Sequence, residues 1–250
     1  MNKNILIAGE SWVSYTTHIK GVDAFYTSVY EEGVSYLRSA IESFGHSVTY
    51  VPNHLAQNHL PYTVEEYAQY DVIILSDIGS NTLMLPSDTF IKSIPRPNRC
   101  AVIKEYVLKG GALMMIGGYL SFSGVDAKAR YGATPIQDVL PVECLEVDDR
   151  REHAEGVRGK ILKEHQLTKG IVGQWPILLG YNRTLPKSGC DVVVEIEGDP
   201  LIAAGNFGKG RSAVFCSDCS PHWAPPEFLG WKHYPTIWKN MLEYLINDKT

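Results

Sequence analysis

Apolar and polar positions along the chain fall into two rhythms. Short, almost unbroken apolar runs occur at Asn4–Ala8, His46–Val51, Asp71–Asp77 and Ala112–Ile116. A strand covered on both faces has no polar side, so these runs read as buried parallel strands. Helical spacing fills the gaps. Val29, Val34, Leu37, Ala40, Ile41 and Phe44 predict a helix over 26–44, stopped by Gly45. Asn98 is placed to cap a helix through Val102, Val107 and Leu108 that ends at Gly110-Gly111. A long loop is expected through Glu10, Ser11, Trp12 and His18-Ile19-Lys20-Gly21. Pro52 to Gln69 reads as polar connection with a short helix near Val64–Tyr67, and Pro86, Pro95 and Pro97 predict an irregular stretch. The order β-α-β-β-α-β, with right-handed crossovers, predicts a doubly wound α/β fold with helices on both faces of a mainly parallel sheet.

The second half is less regular. Gln137–Val142 reads as turn and short strand, and the charged Arg150–Glu155 as a solvated loop or helix face. Asp191–Ile196, Leu201–Phe207 and Arg211–Cys216 read as strands, with hairpin turns at Gly198-Asp199 and Gly208-Lys209-Gly210. A final helix over Tyr234–Ile246 carries Ile237, Met241, Leu242 and Leu245 on one face. It is expected to pack back on the sheet, making residues 1–250 one domain.

Composition narrows the function classes. A 44% hydrophobic, 20% charged chain can bury a substantial core, and a net charge of −5 gives no basic footprint for nucleic acid or acidic membranes. No apolar run approaches the roughly 18–20 residues of a membrane span. The N-terminus enters a strand without an apolar leader, so a cytoplasmic protein is expected. Five scattered cysteines, an odd number, read as free thiols. Cys216-Ser-Asp-Cys219-Ser-Pro-His222 invites a zinc reading with His233 as a fourth ligand. Cys216 ends an apolar strand, however, and no second C-x-x-C exists. No metal and no cofactor are expected.

The segment Ala112–Gly124 is the most informative. Five apolar residues run into Gly117-Gly118-Tyr119, the pattern of a buried strand turning sharply into a helix. In open α/β sheets such turns lie at the carboxyl rim, where ligands bind and nucleophiles are held. Together with Ile5–Gly9, Asp71–Asp77, Lys109–Gly118 and the late Gly208–Phe215, it resembles the class I glutamine amidotransferase-like superfamily, in its trehalose-utilisation-type branch. The resemblance spans most of the chain and implies a flavodoxin-like fold. It also implies a G-x-C-x-G elbow, whose cysteine attacks the glutamine amide, and a late His-x-Glu pair. Tyr119 stands where the resemblance calls for that cysteine, and no Glu follows two residues after His222. Glutaminase activity is therefore not expected.

Strand-end polar residues supply the candidate site. Glu10 and Ser11 follow the first strand, Asp77 the third, Gly117, Gly118, Tyr119 and Ser121 the elbow strand, and Asp218 and His222 a late strand. The rim rule brings these together around a small polar metabolite. Against this, Asp77 and Ser121 could simply cap backbone groups, and Tyr119 could be an aromatic lid. His222, beside Asp218, is the candidate general base, with Tyr119 as donor and Asp77 in support. A hydrolase or amidotransferase variant and a non-catalytic assembly subunit remain as alternatives. A homo-oligomer stays open, with Trp231 and the aromatic C-terminal region as one interface.

Overall fold

The computed structural model describes residues 2–246. The first strand, β1 (Asn4–Gly9), is followed by a hairpin, β2 (Ser11–Lys20) and β3 (Asp23–Glu32), then α1 (Ser35–Ser43) and β4 (Ser47–Val51). Two short helices, α2 (Asn53–His59) and α3 (Val64–Tyr67), lead to β5 (Val72–Ser76). Next come α4 (Ser80–Met84), α5 (Ser87–Lys92), α6 (Arg99–Leu108) and β6 (Ala112–Ile116). The second half adds β7 (Val142–Cys144), β8 (Arg150–Arg158), β9 (Lys160–Ile161), β10 (Ile177–Asn182) and β11 (Thr184–Pro186). It closes with β12 (Asp191–Ile196), β13 (Asp199–Phe207), β14 (Gly210–Phe215), α7 (Pro226–Leu229) and α8 (Tyr234–Ile246).

Eight strands form one sheet in the order β4-β1-β5-β6-β14-β13-β12-β9. The pairings from β4 through β14 are parallel, and β13, β12 and β9 continue the sheet antiparallel. β6 lies in the middle and is buried along its whole length. Alternate residues of each parallel strand face opposite sides. Ile5, Ile7, Ile74 and Met114 meet α1 and α8 in one core, while Leu6, Leu75, Leu113 and Met115 meet α2, α3, α4 and α6 in the other. This is the doubly wound arrangement expected from the apolar runs.

Several local expectations are corrected. The helix expected over 26–44 is half strand: residues 23–32 form β3, and only Ser35–Ser43 is helical. Gly33 marks the break. Tyr26, Val29 and Tyr30 sit at helix-compatible spacings by coincidence, because both faces of the hairpin are exposed and no inside-outside alternation appears. The expected loop through Ser11–Lys20 is its partner strand β2. The connections over 52–69 and 80–97 hold the short helices α2, α4 and α5 besides the expected α3. Arg150–Glu155 belongs to β8, which pairs with β10 in a two-stranded sheet over the rim. Finally, no helix follows the elbow. After β6 the chain runs through turns to a 3-10 turn at Val125–Ala127.

The central position of β6 makes a direct prediction. Met114 is fully buried, so Met114→Ala should cost roughly 2–5 kcal/mol in urea denaturation, from lost burial and the cavity left behind. A cost under about 1 kcal/mol would remove β6 from the centre of the core.

Candidate functional site

The carboxyl ends of β1, β5, β6 and β14 deliver Glu10, Asp77, the elbow and the Ser217–His222 loop to one rim, because neighbouring parallel strands all end on the same side. Glu10 takes a positive φ of 51°, which turns its side chain back over the strand ends. Its carboxylate accepts from Ser76 Oγ and, at 2.6 Å, from Ser220 Oγ. Ser220 Oγ also lies 3.1 Å from Asp218 Oδ1, and the Ser220 N–H donates to the same oxygen at 3.0 Å. The Cys219 thiol lies 3.6 Å from Glu10 Oε2. Gly33 closes the roof: a Cβ there would stand 2.6 Å from both Glu10 Oε1 and Ser220 Oγ.

One hydroxyl has one proton. For Ser220 to hydrogen-bond both carboxyl groups, it donates to one and accepts from the other, which must then carry a proton of its own. Burial acts in the same direction. Desolvation, with the charge of Asp218 nearby, pushes Glu10 up to about 7. Desolvation and the charge of Asp77 push Asp218 up to about 8. Asp77 rises to about 6 through desolvation and the charge of Glu10. Carboxyl groups crowded in low dielectric cannot all ionise at neutral pH. Burial beside Glu10 and Asp218 also lifts the Cys219 thiol far above its usual value, which keeps it protonated and a poor nucleophile.

The elbow is braced from the opposite side. Gly117 and Gly118 follow β6, and Gly118 has a φ of 145°. A Cβ on Gly118 would meet Asp77 Oδ1 at 2.8 Å, so glycine lets the carboxylate lie against the turn. Asn182, fully buried, accepts from the Gly118 N–H at 2.9 Å and donates to the Gly118 carbonyl at 3.1 Å and to Asp149 at 2.9 Å. Asp149 in turn accepts from the Ser123 and Gly124 N–H groups. The Leu120 N–H, one residue past the position of the expected nucleophile, donates to Asp77 Oδ1 at 2.6 Å. The backbone donor suited to an oxyanion is therefore occupied by a carboxylate.

Above the acids sits an aromatic group that runs from the buried Trp223 through the half-buried Tyr119 to the exposed His222. The Tyr119 ring meets His222 edge-on at 4.2 Å and Trp223 at 5.6 Å, and the His222 ring stacks on Trp223 at 5.4 Å. The Tyr119 hydroxyl and the Trp223 Nε1–H both donate to Glu152 at 2.9 Å. Arg150 lies over the Tyr119 ring. His222 Nδ1 is 3.7 Å from Asp218 Oδ2; the imidazole is 40% exposed and the carboxyl only 5%. His222 thus links solvent to the buried acids.

The structure brings Glu10, Asp77, Gly117, Gly118, Tyr119, Asp218 and His222 to one rim. Ser11 and Ser121 lie there too, but their hydroxyls are committed to backbone. Ser11 Oγ accepts from the Asn53 N–H at the start of α2, and Ser121 Oγ donates to Ile116 O while accepting from the Asp77 N–H. The C-x-x-C pair is divided. Cys216 packs in the core with Leu113 and Met115, whereas Cys219 packs in the opposite core, so they form no common ligand set. His233 is spent against Trp231 and the Val172 N–H. Sequence reasoning missed Ser220, Gly33, Asn182, Asp149 and Glu152. Ser220 alone carried a signal, since it lies two residues from the already chosen Asp218.

Comparison with known proteins places this geometry in a family. The family described as "Putative glutamine amidotransferase" matches residues 4–247, and the chain belongs to it. Among solved structures it is similar to the Salmonella typhimurium LT2 cytoplasmic protein STM1381, with 46% identity, a TM-score of 0.94, and 97% of this chain and 99% of that chain covered. It is also similar to the Salmonella typhimurium cytoplasmic protein STM3548, at 43% identity and a TM-score of 0.93, covering 96% and 98% of the two chains. A "Putative thua-like protein" from Parabacteroides merdae shares the fold at 11% identity and a TM-score of 0.61, over 99% and 91% of the chains. No curated protein matches the chain.

The acid cluster predicts an unusual pH dependence. A carboxyl whose folded pKa exceeds its unfolded value holds its proton more tightly in the native state. The native state is then the more protonated, and stability falls as pH climbs between the two values. For Glu10 the window runs from about 4.5 to about 7. Wild type should therefore lose roughly 3 kcal/mol more than Glu10→Gln between pH 4.5 and pH 8, read as the difference between their denaturation profiles. Parallel profiles would mean that Glu10 ionises normally.

Proposed function

We propose that the carboxyl rim binds a small polar metabolite, a sugar or amino-acid derivative, and that Asp218 and His222 exchange a proton there. The carrying observation is the stack from Glu10 through Ser220 and Asp218 to the exposed His222 ring. It joins buried, proton-holding carboxyls to a solvent-exposed imidazole 3.7 Å from Asp218. Protonated carboxyls donate as well as accept, which suits hydroxyl-bearing ligands. The Tyr119 and His222 rings offer apolar faces and edges beside them. The names of the Salmonella relatives support a cytoplasmic setting.

Glutamine hydrolysis by the family's mechanism does not fit this rim. Tyr119 replaces the cysteine, no helix N-terminus follows, and Asp77 fills the Leu120 N–H. A hydrolase using His222 as base is the second reading, favoured by the 3.7 Å approach of Asp218 to its Nδ1. Asp218 there would orient the ring and stabilise its charged form.

Two measurements test this. Tyr119→Cys should release no ammonia from glutamine, because the missing cysteine is only one of three defects; robust release would restore the family mechanism. In thermal-shift screens, a panel of sugar and amino-acid derivatives should raise the Tm of wild type through ligand linkage and leave His222→Ala unmoved. Equal shifts in both proteins would place binding elsewhere.

A further inference from the structure

The hairpin β2–β3 stands apart from the core. Residues 12–32 are exposed almost throughout, and among the described residues the two strands form a sheet with each other alone. Ten residues per strand give an arm on the order of 30 Å long. A two-stranded hairpin of this kind is marginal in water by itself.

Its two faces differ. Register pairs Trp12 with Glu31, His18 with Phe25 and Lys20 with Asp23 on one face. The aromatic and charged groups of that face engage one another: Trp12 donates to Glu31, His18 stacks on Phe25 at 4.4 Å, and Lys20 lies over the Phe25 ring, while Val29 between them stays exposed. The opposite face pairs Ser11 with Glu32 at its base, where the Tyr30 hydroxyl donates to Glu32, and then Val13 with Tyr30, Tyr15 with Ser28, Thr17 with Tyr26 and Ile19 with Ala24, with no charge in these four outer pairs. Tyr15, Ile19 and Tyr26 on it are 81%, 74% and 75% exposed. With Val13, Tyr30 and Val22 at the tip, this face leaves on the order of 700 Å² of side chain uncovered, close to the ~800 Å² per partner of a stable interface.

We infer that the outer, uncharged stretch of this face is a self-association surface, and that its occupant is the same stretch of a second copy across a two-fold axis. Area and charge argue for that occupant. The chain carries a net charge of −5, so a second copy is repelled at most approaches, and a stretch of four uncharged pairs is one where two copies can meet. A two-fold contact sets a patch on itself, and this patch of tyrosine, valine and isoleucine is compatible with its own chemistry. The strand edges agree. Natural proteins guard edges with proline, bulges or central charges, and residues 12–19 contain none of these. Packing in pairs covers what the isolated arm leaves bare. In the aromatic C-terminal region, Trp231 packs on Trp175 and Phe228 within the chain.

The arm is also rooted in the acid site. Ser11 follows Glu10 directly, and the Gly33 N–H donates to Glu10 O at 3.0 Å. A second copy therefore bears on a hairpin whose two ends meet at Glu10.

Sedimentation of the full chain across a wide concentration range tests the inference. Wild type should form dimers at micromolar concentration. Tyr15→Glu with Tyr26→Glu should weaken association at least 100-fold with an unchanged melting curve. Thr16→Lys, on the opposite face, should associate as wild type does. A wild type that stays monomeric at every concentration would overturn the assignment, as would undiminished association of the double variant. If the double variant unfolds, Ile19→Lys gives the same reading from a single exposed position.

Discussion

Ser220 holds a single hydroxyl proton between two buried carboxyl groups, and that shortage governs the rim. Glu10 and Asp218 are drawn together because β1 and β14 end on the same side of a parallel sheet, and the short Ser217–His222 loop cannot carry Asp218 away. Once both are buried, only a shared additional proton lets each contact be a hydrogen bond. Ser76, Gly33 and the Cys219 thiol then complete an enclosure with no room for a second negative charge. The folded state is thereby tied to a protonation state, and the exposed His222 ring lies 3.7 Å from the Asp218 carboxyl.

The elbow keeps the family's scaffold with other groups mounted on it. Strand β6 delivers a sharp glycine turn to the middle of the rim, and Asn182 and Asp149 brace that turn by hydrogen bonds. Yet its first useful backbone donor, the Leu120 N–H, is satisfied by Asp77, and Tyr119 turns outward to an aromatic stack with His222 and Trp223. Membership of the amidotransferase-like family fixes the scaffold. The activity belongs to the groups mounted on it.

Much of the scaffold was legible because burial on both faces leaves strands with no polar positions, as in Val72–Leu75 and Ala112–Ile116. Strand-end polar residues then followed from topology, which is how Glu10, Asp77, Asp218 and His222 could be chosen although Glu10 and His222 lie 212 residues apart. The hairpin was hidden for the converse reason. With both faces in solvent, residues 23–32 show no alternation, and Val29 joins the true helical spacing that begins at Val34. Asn182 and Asp149 were equally invisible, since a single buried polar residue, at the end of a strand or in the loop before one, leaves no periodic trace. Ser220 acquires its meaning only from the distance between two carboxyl groups that the sequence cannot supply.

The proton held between Glu10 and Asp218 can be measured directly. Carbon-13 NMR of the side-chain carboxyls, assigned with Glu10→Gln and Asp218→Asn and followed from pH 4 to pH 9, measures it. At least one proton should remain on this pair at pH 6.5, and the pair should lose its protons only as the pH passes about 7 to 8. Two carboxyls that both ionise near pH 4 would contradict the account.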